Sequence, residues 1–294
     1  MHISIVTLNY NGSKETLELL KSLREQADQD FEIIVVDNGS EETDFANLQS
    51  LIHSTPPGGV YPQAVKNEEN LGFSGGNNVG IRHALENGSD WVVLLNNDTW
   101  VEKDFMERLR AVLEGKRGIV GLPMDEGQRI CYAGRVRWLK RPRKFHINSL
   151  EEAKKNKNIY AIGGGMAIHC SVFEKIGFLD EEYFLYFEDI DYSVRARIKN
   201  VVIEITDKPV IHHAVSSTTK KLGSSTILRY HYRNALYFNL KNGPWYVKFL
   251  VWLWSWVIVI KQLSKIVIGK NVKESKAILA GVIDFYKNKM GKIN

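Results

Sequence analysis

Three largely apolar runs that each stop abruptly in polar residues constrain this chain more than any other feature. They are ISIVTL before Asn9, IIVV before Asp37 and WVVLL before Asn96. Their apolar residues fill neighbouring positions instead of every second one. Both faces of each strand must therefore be covered, as in a parallel sheet wrapped by helices. Helical patterns separate the runs. Leu17, Leu20 and Leu23 recur every three residues in a helix expected over about 14–27, with Ser13 as a candidate cap. Further helices are expected over about 75–88 and 102–114. The alternation predicts an α/β fold, a single mixed, mainly parallel central sheet flanked by helices.

Beyond about residue 118 the pattern loosens. GIVGLP, RICYAGRVRWL and IYAIGGGMAIH read as strands joined by turns and by a basic, exposed loop at 139–158. A helix over about 188–199 and a strand at 201–205 follow, and from about 215 the chain reads as a helical extension. With 44% hydrophobic and 25% charged residues the chain is not disordered. Cys131 and Cys170 are too few for a disulfide scaffold or a cysteine metal cluster, and they point to a reducing compartment. MHISIVTLNYNGS has no basic segment before its apolar run, so it reads as a first strand and not as a signal peptide.

Charge is uneven. Residues 261–294 hold eight Lys against Glu274 and Asp284, a net of +6, so the total of +5 leaves −1 for the rest. Lys140, Arg141, Arg143 and Lys144 form a second basic patch. Nucleic acid could bind such groups, but no reading motif accompanies either, so it is not the expected partner. The tail follows PWYVKFLVWLWSWVIVIK, whose charge-free part, Phe249–Ile260, spans only twelve residues. That is short of the roughly 20 needed to cross a bilayer. A helix lying on an anionic membrane surface is expected, with a homodimer interface, packing on the core, or a short spanning or re-entrant segment as alternatives.

Clusters of polar residues at element ends carry the chemistry. Thr7, Asn9 and Asn11 end the first strand, and Asp37 and Asn38 end the second, where parallel sheets bind ligands. A plain turn is the alternative for Asp37-Asn38-Gly39-Ser40. The run from Asn70 to Gly80, with Gly72, Gly76 and Asn77, leads into a helix whose first N–H groups suit phosphate. It contains neither GxGxxG nor a P-loop, and a structural glycine turn would look the same. Asp98, beside Asn97, is placed to hold Mg²⁺ or Mn²⁺ bridging nucleotide phosphates, with helix capping by Asp98 or Thr99 as the alternative. Glu188, Asp189 and Asp191 crowd a helix start, more acid than capping needs, and one of them suits a general base. Glu188 and Asp191 share a face, with Asp189 about 100° away. Adjacent His212 and His213 face oppositely on a strand, so one of them could join Asp98 on a metal.

TLNYNGS, VVDNGS, ENLGFSGGNNVGI, VLLNNDT, GGGMAI, FLYFEDIDYSVRAR and IHH, in this order, resemble the inverting family 2 glycosyltransferases of GT-A fold. The closest resemblance is to the bacterial rhamnosyltransferase-like and galactofuranosyltransferase-like subgroup, over about residues 1–240. It implies a nucleotide-diphosphate sugar donor bound by about 1–125, with an acceptor side at about 126–240 and an extension at 241–294. Asn9, Asp37 and Asn38 would lie near the nucleoside, and the Asn70–Asn78 loop near base or pyrophosphate. Asp98 would be the metal-binding acid of a DxD-like motif, although Asn96 replaces its first acid. Asp189 would be the base, with Glu188 and Asp191 orienting the acceptor or the site around it. His213, with His212 as fallback, would be the second metal ligand. Gly164, Gly165 and Met166 would line the acceptor side. The acceptor would be a glycan or lipid-linked hydroxyl in cell-surface polysaccharide synthesis. The enzyme would be cytoplasmic and peripheral at the cytoplasmic face of the membrane. A nucleotidyltransferase is disfavoured because TLNYNGSKE lacks a glycine-rich loop with Arg and Lys, and a silent binding module because Asp98, Asp189 and His213 are all present.

Overall fold

The computed structural model describes residues 1–53, 60–140, 146–213 and 224–293. Arg141, Arg143 and Lys144 of the second basic patch lie outside them. The chain begins with β1 (Ile3–Asn9), α1 (Ser13–Arg24), β2 (Glu32–Asn38), α2 (Glu42–His53), β3 (Gln63–Asn67), α3 (Gly72–Glu86) and β4 (Trp91–Leu95). Next come β5 (Thr99–Val101), α4 (Phe105–Leu113), β6 (Ile119–Gly121), β7 (Met124–Asp125), β8 (Ile130–Cys131) and β9 (Ala133–Arg135). They are followed by β10 (His146–Ile147), α5 (Leu150–Lys155), β11 (Ile159–Tyr160), β12 (Gly165–His169) and α6 (Cys170–Ile176). After a 3-10 turn at Glu181–Tyr183 come α7 (Glu188–Ile198), β13 (Ile203–Ile205), β14 (Ile211–His213), α8 (Ser224–Asn242), α9 (Trp245–Val267) and α10 (Val272–Tyr286).

The main sheet has seven strands in the order β13-β6-β12-β4-β1-β2-β3. β4, β1, β2 and β3 run parallel, and β12 is inserted antiparallel between β4 and β6. Successive residues of the central strands serve opposite layers, which is why their apolar content is continuous. Ile5, Ile33, Val35 and Val93 pack with Leu19 and Leu23 of α1 and Leu109 of α4. Val6, Ile34, Val36 and Val92 pack with Ile81 of α3 and Tyr192 of α7. Gly80 brings α3 close to the sheet, since a Cβ there would lie 2.4 Å from Val6 Cγ1.

Register aligns the polar strand ends. Asn9 pairs with Asp37 and Asn38 with Asn67, while Gly165, at the start of β12, pairs with Leu95 at the end of β4. One edge thus collects residues from five elements.

Several expectations change. α2 and β3 do not stand out in the sequence, because β3 is a polar edge strand and α2 covers the same margin. Ser13 is not a cap. It is the first residue of α1, and its N–H and Oγ both bond Asp44 Oδ1 of α2, at 3.0 and 2.7 Å. α3 starts at Gly72, earlier than its apolar periodicity implies. The loop expected at 139–158 contains β10 and α5 among its described residues. The boundary expected near 240 falls at the end of α8, and α8 shares a core with the extension. Tyr232 and Leu236 pack with Val251 and Ile258 of α9 and with Ile278 and Val282 of α10.

Candidate active site

At the end of β1, fully buried Asn9 is committed to protein partners. Its Nδ2 donates to Asp37 Oδ1 (2.9 Å), Asp44 Oδ2 (2.8 Å) and Ser40 Oγ (3.1 Å), and its Oδ1 accepts from Thr16 Oγ1 (2.9 Å). Asp37 also accepts from Ser40 N–H at 3.3 Å. Asn11, at φ +50°, donates its N–H to Ser40 Oγ and accepts from Glu41 N–H. These groups shape the edge of the sheet. Thr7 is buried beneath them, and its hydroxyl has no partner among the described residues.

The glycine run does something its sequence did not announce. The N–H groups of Phe73 and Ser74, expected to face phosphate, point at the Phe184 carbonyl at 2.6 and 3.5 Å. Gly72, at φ +74°, permits this approach, since a Cβ there would lie 2.3 Å from Phe184 O. Gly76 is a packing glycine, with a would-be Cβ 2.9 Å from Leu8 Cδ2. Asn38 Nδ2 donates to Gly72 O (3.0 Å) and Asn70 Oδ1 (3.2 Å), and Asn77 Nδ2 donates to Phe73 O (2.9 Å). The run therefore ties the polar edge of the sheet to the loop ahead of α7.

Beyond β4 the chain turns, with Thr99 Oγ1 donating to Asn96 O at 2.6 Å. Asn97 Nδ2 donates to Thr16 Oγ1 at 3.0 Å. Asp98, only 8% exposed, is 3.2 Å from His213 Nε2. β5–β14 pairing sets His213 opposite Thr99 and His212 opposite Trp100. His212 faces the other way, stacked on Trp100 at 3.9 Å and 3.3 Å from Asp125. A carboxylate oxygen and an imidazole nitrogen at 3.2 Å match two donors sharing one small divalent cation, so this pair fits Mg²⁺ or Mn²⁺.

The acidic trio is split by its surroundings. Asp189 is partly exposed at the start of α7, and its carboxylate accepts from Gly163 N–H (3.2 Å) and Ile190 N–H (2.7 Å). Burial of the carboxyl outweighs these bonds and raises it to about 6. Glu188 is buried, with Oε2 unpartnered among the described residues. Burial first, and the charge of Asp189 second, push it well above the usual carboxylate range. Asp191 lies away from the edge. Fully buried, it accepts from Arg195 Nε (2.6 Å), Asn242 Nδ2 (2.7 Å), Lys241 Nζ (2.8 Å) and Tyr183 OH (3.1 Å). It locks α7 to α8 through protein donors, a set of partners its position in the sequence could not reveal.

Gly163 and Gly164 bridge Asp189 and the end of β4. Gly164 O accepts from Asn96 N–H at 3.3 Å, and a Cβ on Gly164 would lie 2.5 Å from Asn96 Nδ2. Gly165 and Met166 do not line this space. A Cβ on Gly165 would meet Ile211 Cδ1, and Met166 is fully buried in the α3-side core because β12 continues the sheet.

The Tyr232-Arg233-Asn234 segment of α8 holds the loop ahead of α7. Buried Asn234 donates to the carbonyls of Tyr183, Leu185 and Tyr186, and Arg233 Nη2 donates to Tyr183 O. His231 stacks on Tyr186 at 4.3 Å, and burial pushes its pKa down to about 4. Cys131 also joins a group that its spacing did not suggest, with ligand-type atoms of Glu126, Cys131 and His146 within 4.8 Å of one another. Glu126 there already accepts two hydrogen bonds from Arg129.

A parallel sheet whose polar strand ends meet an acid-bearing helix start across an inserted antiparallel strand is the architecture of the GT-A glycosyltransferases. The family model for Glycosyl transferase family 2 matches residues 4–177, and the chain belongs to that family. A hexosyltransferase of low-salt glycan biosynthesis from Haloferax volcanii is 25% identical over 315 residues, 99% of this chain and 92% of that protein. The dTDP-rhamnosyl transferase RfbF of Shigella flexneri is 24% identical over 251 residues, 82% and 81% of the two chains. Among solved structures, the Pyrobaculum calidifontis mannosyltransferase PcManGT in complex with GDP-Man and Mn²⁺ superposes with a TM-score of 0.59. It is 16% identical, covers 98% of this chain and 87% of that one, and supports the fold.

Proposed function

We propose that the protein is an inverting, metal-dependent transferase that moves a sugar from a nucleotide-diphosphate donor to a hydroxyl of a glycan or lipid-linked acceptor. The setting is cell-surface polysaccharide synthesis at the cytoplasmic face of the membrane. The observation that carries this reading is Asp189, a carboxylate held by Gly163 N–H where Gly164 meets Asn96 at the end of β4. In this reading Asp189 takes the acceptor hydroxyl's proton as that oxygen attacks the anomeric carbon and the nucleoside diphosphate departs. A single displacement with no covalent nucleophile inverts the anomeric centre. Asp98 and His213 would hold the divalent cation, with Asn97 beside them at the strand end. When bound, the cation offsets negative charge on the leaving diphosphate.

The donor proposed first is dTDP-rhamnose, in line with the relative that carries that name. Saturation-transfer NMR with a panel of nucleotide-sugars tests it, with UDP-linked sugars, galactofuranose included, as the competing arms. Binding of a UDP-sugar in preference would replace the donor and keep the transferase. A product retaining the donor's anomeric configuration would sink the single-displacement mechanism.

A further inference from the structure

Helix α9 is built inside out for water. Its buried stripe, Val247, Val251, Ser255, Ile258 and Gln262, includes the polar side chains of Ser255 and Gln262. Ser255 Oγ meets Tyr286 OH at 2.6 Å, and Gln262 Oε1 accepts from Ser275 Oγ at 3.1 Å. Two residues further along, about 200° round the helix, the opposite stripe is apolar and bare. Trp245, Phe249, Trp256, Val257, Ile260 and Val267 are each 61–85% exposed. A patch this long exceeds what a solvated surface carries without a partner.

Charge indicates which partner. Residues 245–294 hold nine Lys and two acids, and one of those acids, Asp284, is buried and paired with Arg229 at 2.6 Å. We infer that α9, with the lysines of α9 and α10 around it, is a docking surface for an anionic lipid bilayer, with the helix lying in the plane of the interface. Apolar side chains enter the acyl boundary while ammonium groups stay among anionic headgroups. A second copy of the chain fits less well, because a two-fold contact through this face would bring lysines against their symmetry mates. At 23 residues α9 is long and apolar enough to cross a membrane, which the twelve-residue charge-free stretch did not suggest. Its buried stripe is nevertheless seated on α8 and α10, and exposed Lys273 and Lys276 of α10 would have to enter the bilayer with it.

The surface is mechanically joined to the candidate active site. α8 clamps the loop ahead of Asp189, Arg233 Nη1 donates to Lys289 O, and Gly291 N–H donates to Glu182 O. With the transferase reading, on which this last step alone rests, docking would present the base to an acceptor anchored in the same bilayer.

The test is flotation of the full chain with phosphatidylcholine vesicles and with mixed phosphatidylcholine–phosphatidylglycerol vesicles. Binding is expected to the mixed vesicles, to weaken with salt, and to be released by alkaline carbonate. Phe249→Glu with Trp256→Glu should lower vesicle affinity at least about tenfold. Lys270→Glu with Lys273→Glu and Lys276→Glu should lower it roughly a hundredfold on anionic vesicles. Unchanged circular dichroism and nucleoside-diphosphate binding would show that these variants fold. No binding by the native chain, or resistance to carbonate, overturns the inference. So does a native dimer that Phe249→Glu with Trp256→Glu converts to monomer without changing vesicle affinity. Absent vesicle binding with transfer to a soluble acceptor intact would remove the docking surface and leave the transferase standing.

Discussion

Asn234 Nδ2 lies 3.0 Å from the Tyr186 carbonyl, in the middle of a backbone stretch that runs at positive φ. Phe184, Tyr186 and Phe187 have φ of +61°, +69° and +79°, and none is glycine. Each such residue costs on the order of 1–2 kcal/mol. The same amide reaches Tyr183 O and Leu185 O at 2.9 and 2.8 Å, so one buried side chain holds the turn that delivers Asp189.

Asn234→Ala should therefore lower stability by about 2–4 kcal/mol, since the Leu185 and Tyr186 carbonyls lose this donor while Tyr183 O keeps Arg233 Nη2. It should also lower kcat about tenfold or more through misplacement of Asp189. Thermal melts alongside kcat at saturating donor separate the two effects. A lower Tm with unchanged kcat would reduce Asn234 to a structural role.

The acids of the FEDID segment should diverge on mutation. Asp189→Asn keeps shape but cannot accept the proton, so transfer should fall by about 10²–10⁴ with donor Kd little changed. Asp191→Asn should mainly destabilise, because Arg195 and Lys241 would lose their shared buried carboxylate. Full activity in Asp189→Asn and loss of activity in a well-folded Asp191→Asn would reverse the assignment.

As the proposed base, Asp189, raised to about 6 by burial, should set the pH profile. The rate at saturating donor should be flat above that value and fall about tenfold per unit below it. On stability the sign is opposite. The folded carboxyl holds its proton more tightly than the unfolded one, so its contribution is greatest below the unfolded value and is lost as pH rises through about 6. A rate that stays level down to pH about 4 would remove Asp189 from the proton transfer.

The strands and their polar ends were legible because burial on both faces leaves a continuous apolar signature. Asp98, Asp189 and His213 sit at or next to element boundaries, where local sequence shows a change of character. Partnerships between distant segments were not legible. Nothing near Asp191 announces Lys241 and Asn242, nothing near Gly72 announces the Phe184 carbonyl, and Met166 reads as a pocket residue until the sheet order places it in the core. The outward face of α9 was legible in composition, but its direction required knowing which stripe α8 and α10 cover.

The contrast between the two adjacent histidines gives the sharpest test of the metal site. Asp98 Oδ1 and His213 Nε2 are 3.2 Å apart, whereas His212 stacks on Trp100 and faces Asp125. Asp98→Asn removes the charge that favours a cation, and His213→Ala removes the nitrogen donor. Either change should weaken Mn²⁺-dependent nucleoside-diphosphate binding by about tenfold to a hundredfold, the scale on which mutations around metal sites act. The measurement is calorimetry with and without Mn²⁺, which needs neither acceptor nor turnover. His212→Ala should leave the metal-dependent part of the affinity unchanged, because its ring is turned away from Asp98. It should loosen only the Trp100 stack, which a small fall in Tm would register. Equal losses in His212→Ala and His213→Ala would mean that the segment matters only as a strand. Loss in His212→Ala alone would move the ligand to the other face of β14.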